Sequence, residues 1–315
     1  MSSDFRRACV SGGAGFIGSH LVRALLARGL EVVVLDDLSV GRAENVPAGA
    51  RLVRGDVLDA DAARDAASGC DVVFHLAARV AIRSSFEFAV KDARVNFVGT
   101  ASMLRAAHAA GGVRRFVGTS SMAVYADAPS PDPIPETHPT APISPYGISK
   151  LGAEQLVHTL GGQAGFSTAV LRLFNTYGTG QALSPYVGVV TIFANALLRG
   201  EAPSIFGDGE QRRDFVHVED VVRAFLGALD APVAGETFNV GTGFATSVNE
   251  VFAAVRAALG STIAARPAPA VTGEVRYSIA DIGKARRLLG YRPMRRFADS
   301  IGEVVAEIRA ADQPS

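Results

Sequence analysis

The stretch from Arg6 to Asp36 constrains the fold more than any other part of the chain. Arg6–Val10 reads as a short apolar strand, Ser11-Gly12-Gly13-Ala14-Gly15-Phe16-Ile17-Gly18 follows, and Ser19–Arg28 has helical periodicity. Glu31-Val32-Val33-Val34-Leu35-Asp36 is then a β-branched run that ends in a carboxylate. Strand, glycine turn, helix, strand and acid form the context in which a glycine pattern reads as a dinucleotide site. Gly12 permits the tight turn, Gly15 lets the backbone approach a pyrophosphate, and Gly18 lets the helix pack on the strand. The helix N-terminus offers free N–H groups and a positive dipole to phosphate. Asp36 lies 18 residues after Gly18, where a carboxylate hydrogen-bonds a ribose 2′-hydroxyl and repels a 2′-phosphate. NAD is therefore favoured over NADP, with Arg42 in the same loop as the residue that could tolerate the phosphate.

A second pattern carries chemistry. Tyr146 and Lys150 stand four apart, on one face if the segment is helical. A phenol with a pKa of about 10 is a poor base near neutrality, and an ammonium beside it favours the phenolate. The pair is thus expected to make a proton acceptor for a sugar or alcohol hydroxyl. The alternative is a chance pair on a helix surface. The chain has only three lysines among its 31 basic residues, leaving 28 arginines, so a lysine here is not compositional background.

The 315 residues suggest two domains. A composition that is 48% hydrophobic and 20% charged allows a large core and argues against disorder. Zero formal net charge with dispersed arginines argues against a nucleic-acid surface. No apolar run approaches the ~18 residues of a membrane span. The first strand begins almost at once, leaving no room for a signal peptide. Cys9 and Cys70 read as buried thiols, not a disulfide, and the six histidines show no ligand spacing, so no metal site is expected. These features suit a cytoplasmic enzyme.

Strands at Val32–Leu35, Arg51–Arg54, Val72–Leu76, Arg115–Thr119 and Ala169–Phe174 alternate with helices at Ala60–Ala67, Val95–Ala110 and Tyr146–Gly161. That alternation predicts an α/β fold with a doubly wound parallel sheet, with ligands at the carboxyl ends of the strands. Asp56-Val57, His75-Leu76-Ala77-Ala78 and Thr119-Ser120-Ser121 all fall at such ends. Seven prolines between Asp127 and Pro145 rule out helix or central strand there, and leave either an exposed connector or a lid. Residues 1–175 read as the dinucleotide-binding domain. Residues 176–315, with apolar helices at Val187–Arg199, Val248–Leu259 and Ala298–Ala310, read as a smaller mixed α/β substrate domain. Parts of 216–245, Val218–Leu229 and Glu236–Val240, are expected to return to the first domain.

From residue 6 to about 300 the chain resembles the extended short-chain dehydrogenase/reductases of the nucleotide-sugar epimerase/dehydratase family. The motifs are Gly-Gly-Ala-Gly-Phe-Ile-Gly at 12–18, Asp-Asp-Leu-Ser at 36–39, Gly-Asp-Val at 55–57, His-Leu-Ala-Ala at 75–78, Asn96, Ser-Ser at 120–121, Tyr-Gly-Ile-Ser-Lys at 146–150, Arg-Leu-Phe-Asn at 172–175 and Gly-Asp-Gly-Glu-Gln-x-Arg-Asp-Phe at 207–215. The resemblance implies catalysis by Ser121, Tyr146 and Lys150. It implies NAD contacts from Gly12, Gly15, Phe16, Ile17, Gly18, Asp36, Asp37, Asp56, Val57, Leu76, Ala77, Ala78 and Asn96, with Tyr146 and Lys150. It also implies a UDP-sugar held by Ser120, Met122, Asn175, Ser204, Phe206 and Arg213, and a homodimer built on the helices at 95–110 and 146–161. For Arg213 the alternative is a surface ion pair with Asp214 or Glu210.

The dehydratases of this family carry an Asp-Glu pair where this chain has Met122 and Ala123, and its decarboxylases carry a Glu at the second position. Neither residue present can transfer a proton, so the implied reaction is NAD-dependent 4-epimerisation through a 4-keto sugar. An NDP-4-keto-sugar reductase and a non-catalytic NAD-binding regulator are the alternatives. Three departures stand out. Val271 occupies the place of a diphosphate-binding Arg, leaving Arg266 or Arg276 to compensate. Ala126 replaces a Gly. Met122 either fills space near the sugar or packs away from it.

Overall fold

The β-branched runs all become strands of one sheet. The computed structural model describes residues 4–80, 84–181, 188–270 and 275–311. In chain order the first half builds β1 (Arg7–Ser11), α1 (Phe16–Ala27), β2 (Glu31–Asp36), β3 (Ala50–Arg54), α2 (Ala60–Ala67), β4 (Val72–His75), α3 (Ala89–Asp92), α4 (Gly99–Ala110), β5 (Arg115–Ser121), α5 (Pro145–Gln163) and β6 (Ser167–Leu173). The second half adds β7 (Asn175–Tyr177), α6 (Val189–Leu198), β8 (Ser204–Phe206), β9 (Arg212–Arg213), β10 (Phe215–His217), α7 (Val218–Asp230), β11 (Glu236–Val240), β12 (Thr246–Ser247), α8 (Val248–Leu259), β13 (Arg266–Ala268), β14 (Tyr277–Ser278), α9 (Gly283–Leu289) and α10 (Phe297–Ala311). Val187, placed in a helix from the sequence, lies outside the described residues, as does Val271.

Seven strands form a parallel sheet in the order β11-β6-β5-β4-β1-β2-β3. The expected doubly wound fold is the observed one. Its strands are apolar on both faces because both faces are covered by helices. Val10, Val34, Phe74, Val117 and Leu171 pack with residues of α1 and α7, while Cys9, Val33, Val73, Phe116 and Val170 pack with those of α2, α4 and α5. Cys9 and Cys70 are free, buried thiols. A third apolar cluster joins Phe193 of α6, Val251 and Phe252 of α8 and Val304 of α10, away from the sheet. β11 lies in the seven-stranded sheet although its sequence position is far into the second half.

Two local features differ from the sequence reading. The helix expected at Val95–Ala110 begins earlier, and Ala93–Val98 forms a π-helical turn between α3 and α4. The proline-rich segment is largely exposed but is pinned at its middle. Ile134 is buried, its N–H donates to Ile279 O at 2.8 Å, and its carbonyl accepts from Asp281 N at 3.0 Å and Asn239 Nδ2 at 2.8 Å. No helix among the described residues is long and apolar enough to cross a membrane.

Candidate active site

β1 and β4 are neighbours, but the chain leaves them toward opposite edges of the sheet. The crevice at their carboxyl ends is the topological switch point. Gly12 enters it at φ +73°, and a Cβ there would lie 2.7 Å from Ala77 N. A Cβ on Gly18 would lie 2.1 Å from Gly12 O, so this glycine seats α1 directly on the turn. Gly15 is different. Its φ is an ordinary −79°, and a Cβ would have only Gly12 O within 4 Å, at 3.3 Å. The N-terminus of α1 carries no side-chain cap and no acid in its first turn, so its N–H groups stay available to an anion.

The carboxylate of Asp36 is buried and built into this cradle. Oδ2 accepts from Ala14 N at 2.9 Å and Oδ1 from Leu38 N at 2.9 Å. Burial raises its pKa against these two bonds. Each oxygen keeps a lone pair for a ribose hydroxyl. Asp37 is exposed and bonds Ser39. Arg42 is exposed too, and meets the turn only through its N–H to Ala14 O at 3.3 Å. On the far wall Asp56 Oδ1 accepts from Leu58 N at 2.9 Å, and Val57 is buried against the start of α4. Leu76, Ala77 and Ala78 are half-buried, with Leu76 N donating to Ser11 O at 3.0 Å.

Behind them His75 is locked as a neutral ring. Thr100 Oγ1 donates to Asn96 O at 2.6 Å, so it accepts from His75 Nε2–H at 3.0 Å, and Ser11 Oγ donates to Nδ1 at 2.6 Å. Burial, with the nearby charge of Lys150, pushes its pKa down to about 3.

The reactive residues converge because α5 begins against the end of β5. Ser121 closes β5 and caps the short turn Met122–Val124, accepting from Ala123 N at 3.2 Å. Ser144 caps α5 through Gly147 N at 3.1 Å, with Pro145 in the first turn. A Cβ on Gly147 would lie 2.3 Å from Ala123 O. That contact seats the Tyr146 turn against the end of β5, with Ser121 near enough to the phenol to favour its charged form. Tyr146 is 4% exposed and Lys150 5%.

The sequence led us to expect a phenol made acidic by its lysine. The structure gives the opposite direction for the phenol. Burial pushes Tyr146 up to about 12, opposed by the nearby Ser121 hydroxyl and aided by the Asp92 carboxylate. Burial also pushes Lys150 down to about 8, opposed by Glu154. A desolvated site disfavours charge on both partners, a cost that spacing along a helix does not reveal.

Asn96 is held by its neighbours. It sits in the π-helical turn, 1% exposed, with Oδ1 accepting from Arg79 N at 2.8 Å and Nδ2 donating to Arg79 O at 3.1 Å and Ser149 Oγ at 3.0 Å. Ser149 Oγ in turn donates to Tyr146 O at 2.7 Å. Its amide ties the β4 loop to the tyrosine helix, so Asn96 helps orient the site.

Register carries the site outward. Ser121 pairs with Leu173, so Asn175 emerges beside it on β7. β7 pairs with β10, with Asn175 opposite Phe215, and β9 delivers Arg213 just before. Arg213 is buried and donates to Arg212 O at 3.0 Å and Arg276 O at 3.3 Å. The ion pair considered for it does not form. Asp214 accepts from Thr242, Gly243 and Ala280, and Glu210 turns to Arg212 and Asn249. Ser204 and Phe206 lie half-buried on β8, alongside β13, where Arg266 donates to Ser204 Oγ at 3.1 Å. Arg276 forms a two-point bond to Asp208 at 2.7 and 2.9 Å. Met122 is half-buried and packs against the main core. Ser120 is buried, and its hydroxyl has no partner among the described residues.

The sequence profile of the NAD-dependent epimerase/dehydratase family matches residues 8–241. The chain belongs to that family. It is 39% identical over 313 residues to a UDP-glucose 4-epimerase of Mycolicibacterium smegmatis, covering 98% of this chain and 100% of the relative. A Thermotoga maritima UDP-glucose 4-epimerase solved with UDP-glucose superposes with a TM-score of 0.93 at 36% identity, covering 98% of this chain and 100% of the other. A Thermus thermophilus UDP-glucose 4-epimerase solved with NAD superposes with a TM-score of 0.90 at 36% identity, covering 97% and 99%. The family cofactor fits the residues present. The uncapped end of α1 is open to an anion, and at Gly15 a Cβ would meet only Gly12 O within 4 Å, at 3.3 Å.

Sequence reasoning overlooked the residues that aim the reactive ones. Gly147 and Ser149 lie inside the Tyr-Gly-Ile-Ser-Lys motif, and Ser144-Pro145 is a readable helix start. Glu154, four residues beyond Lys150, was visible by spacing. Arg172 opens the Arg-Leu-Phe-Asn motif without its partner being readable there, and Asp92 and Arg79 had no signal in the sequence.

Proposed function

We propose that this protein is an NAD-dependent UDP-sugar 4-epimerase that works through a transient 4-keto sugar. The observation that carries the reading is the convergence of Ser121, at the end of β5, with the buried Tyr146 and Lys150 one turn apart at the start of α5, while only Met122 and Ala123 follow Ser121. This set oxidises and re-reduces a secondary alcohol, and it lacks the acid that elimination of water or carbon dioxide chemistry would use. Bound NAD supplies the acceptor and donor of the C4 hydride and, when oxidised, a positive charge. Tyr146, directly or through Ser121, takes the O4 proton and later returns it. Lys150 in its ammonium form stabilises the phenolate. Asn175 and Arg213 hold the diphosphate while the hexose turns, the planar guanidinium matching phosphate oxygens. Ser204 and Phe206 receive the uracil.

Residues 1–175 with β11 serve NAD, and most of 176–315 serves the nucleotide sugar. Phe86, Val90, Phe97, Val98 and Ile148 leave apolar surface exposed on and around α3, α4 and α5, which supports a homodimer through these helices. The two free thiols suit a reducing compartment, and we place the enzyme in the cytoplasm.

The test is incubation of the purified protein with UDP-hexoses, UDP-N-acetylhexosamines and UDP-uronic acids without added NAD(H), followed by product analysis. A C4 epimer formed without net redox change is the expected result. Turnover only with a 4-keto substrate and added reduced cofactor overturns it.

A further inference from the structure

Lys150 faces a buried ion pair. Glu154 stands one helical turn further along α5, on the same face, and is 5% exposed. Both of its oxygens are held by Arg172 of β6, which is 6% exposed: Oε1 accepts from Nε at 2.9 Å and Oε2 from Nη2 at 2.7 Å. Arg172 is fixed in turn. Its guanidinium lies 4.7 Å over the Tyr125 ring, and its Nη1 donates to Glu136 O at 3.4 Å. The Tyr125 hydroxyl donates to Asn239 Oδ1 at 2.6 Å. The carboxylate therefore cannot swing toward solvent or exchange partners.

A buried ion pair is not by itself a gain in stability over apolar packing, because desolvation offsets its attraction. Its chemical consequence here falls on the third charge. The other groups around Lys150 offer no substitute for the carboxylate. His75 on β4 is held neutral by Ser11 and Thr100. Tyr146 on α5 is a protonated phenol at neutral pH. Asp92 on α3 is paired with Arg79 at 2.9 Å. Glu154 alone favours the ammonium.

We propose that Glu154, clamped by Arg172, is a positioning residue whose buried carboxylate keeps Lys150 cationic, with Arg172 limiting that effect, so that the pair sets the pH at which Lys150 releases its proton. The consequence for turnover rests on the epimerase reading above, whereas the charge relation itself does not. Loss of the carboxylate strands two buried cations, Lys150 and Arg172, without the anion they share, and loss of the guanidinium leaves the carboxylate to Lys150 alone. The two substitutions must act in opposite directions on Lys150.

Only three lysines are present, Lys91, Lys150 and Lys284, so protein labelled with ¹³C at lysine Cε gives a Lys150 signal assignable by Lys150→Met. Titration of that signal is expected to move its midpoint down by about one pH unit in Glu154→Gln and up in Arg172→Met. The alkaline limb of kcat should follow in the same directions. A midpoint unmoved in Glu154→Gln, or moved the same way in both variants, overturns the proposal. If Glu154→Gln does not fold, the double variant Glu154→Gln/Arg172→Met removes the pair without stranding a charge, and its midpoint must still lie below that of the parent protein. If Lys150→Met keeps full turnover, the epimerase reading of the site fails, while the titration still decides the charge relation.

Discussion

Gly15 and Gly18, three residues apart in one turn, answer to different pressures. Gly18 is demanded by the protein, since a Cβ there meets Gly12 O at 2.1 Å. Gly15 is far less constrained by its own chain: its one contact, with Gly12 O at 3.3 Å, is close and asks for a shift of a few tenths of an ångström. Gly18→Ala should therefore destabilise the fold by about 1–3 kcal/mol or more through overpacking. Gly15→Ala should leave the unfolding midpoint of the cofactor-free protein within a few degrees of the parent and sharply weaken NAD retention. Thermal unfolding with and without added NAD separates the two. An unchanged NAD affinity in Gly15→Ala would remove the pyrophosphate from the front of α1. The identities of these glycines, Asp36, Ser121, Tyr146 and Lys150 were legible in the sequence because turns and helical spacing are local. The protonation of Tyr146 and Lys150 was not. It depends on desolvation by β4, β5 and α3, which no window of sequence contains.

At the scale of elements, the chemistry depends on where one helix starts. Ser144 and Pro145 fix the first turn of α5, and Gly147 lets that turn sit against the carbonyl of Ala123. Gly147→Ala must push α5 away from β5, and with it Tyr146 from Ser121. Small displacements of a reacting group cost about 10²-fold in rate. The expected outcome is a kcat lowered by roughly that factor with the substrate KM changed far less, measured by steady-state epimerisation. A kcat near the parent value would show that the close seating is dispensable. Strands and most helices were legible, since buried parallel strands and the capped ends of α5 and α8 leave strong patterns. The π-helical turn at Ala93–Val98 was not, because it is forced by Asn96 reaching Arg79 and Ser149 across the structure. Nor was the pinning of the proline segment, which depends on β11 and residues 279–281 arriving from the far end of the chain.

Across the whole molecule, a buried lysine links the site to folding stability. Lys150 moves from an ordinary 10.5 to about 8 on folding, driven first by burial. Above both values neither folded nor unfolded chain holds the proton, and the group costs nothing. As pH falls from about 10.5 toward about 8, the unfolded chain takes up its proton first, and stability falls. Below about 8 both states are protonated and the full cost remains, of the order of a few kcal/mol. Lys150→Met keeps the length of the side chain and removes the charge. It should raise the unfolding midpoint of the cofactor-free protein at pH 7 and abolish turnover. Its advantage should shrink steadily as pH is raised through the window between those two values. Chemical denaturation of both proteins across pH 7 to 10.5 measures the difference directly. A variant no more stable than its parent at pH 7 would mean that Glu154 already offsets the whole cost of burying the ammonium. The site would then carry no strain for the cofactor and substrate to relieve.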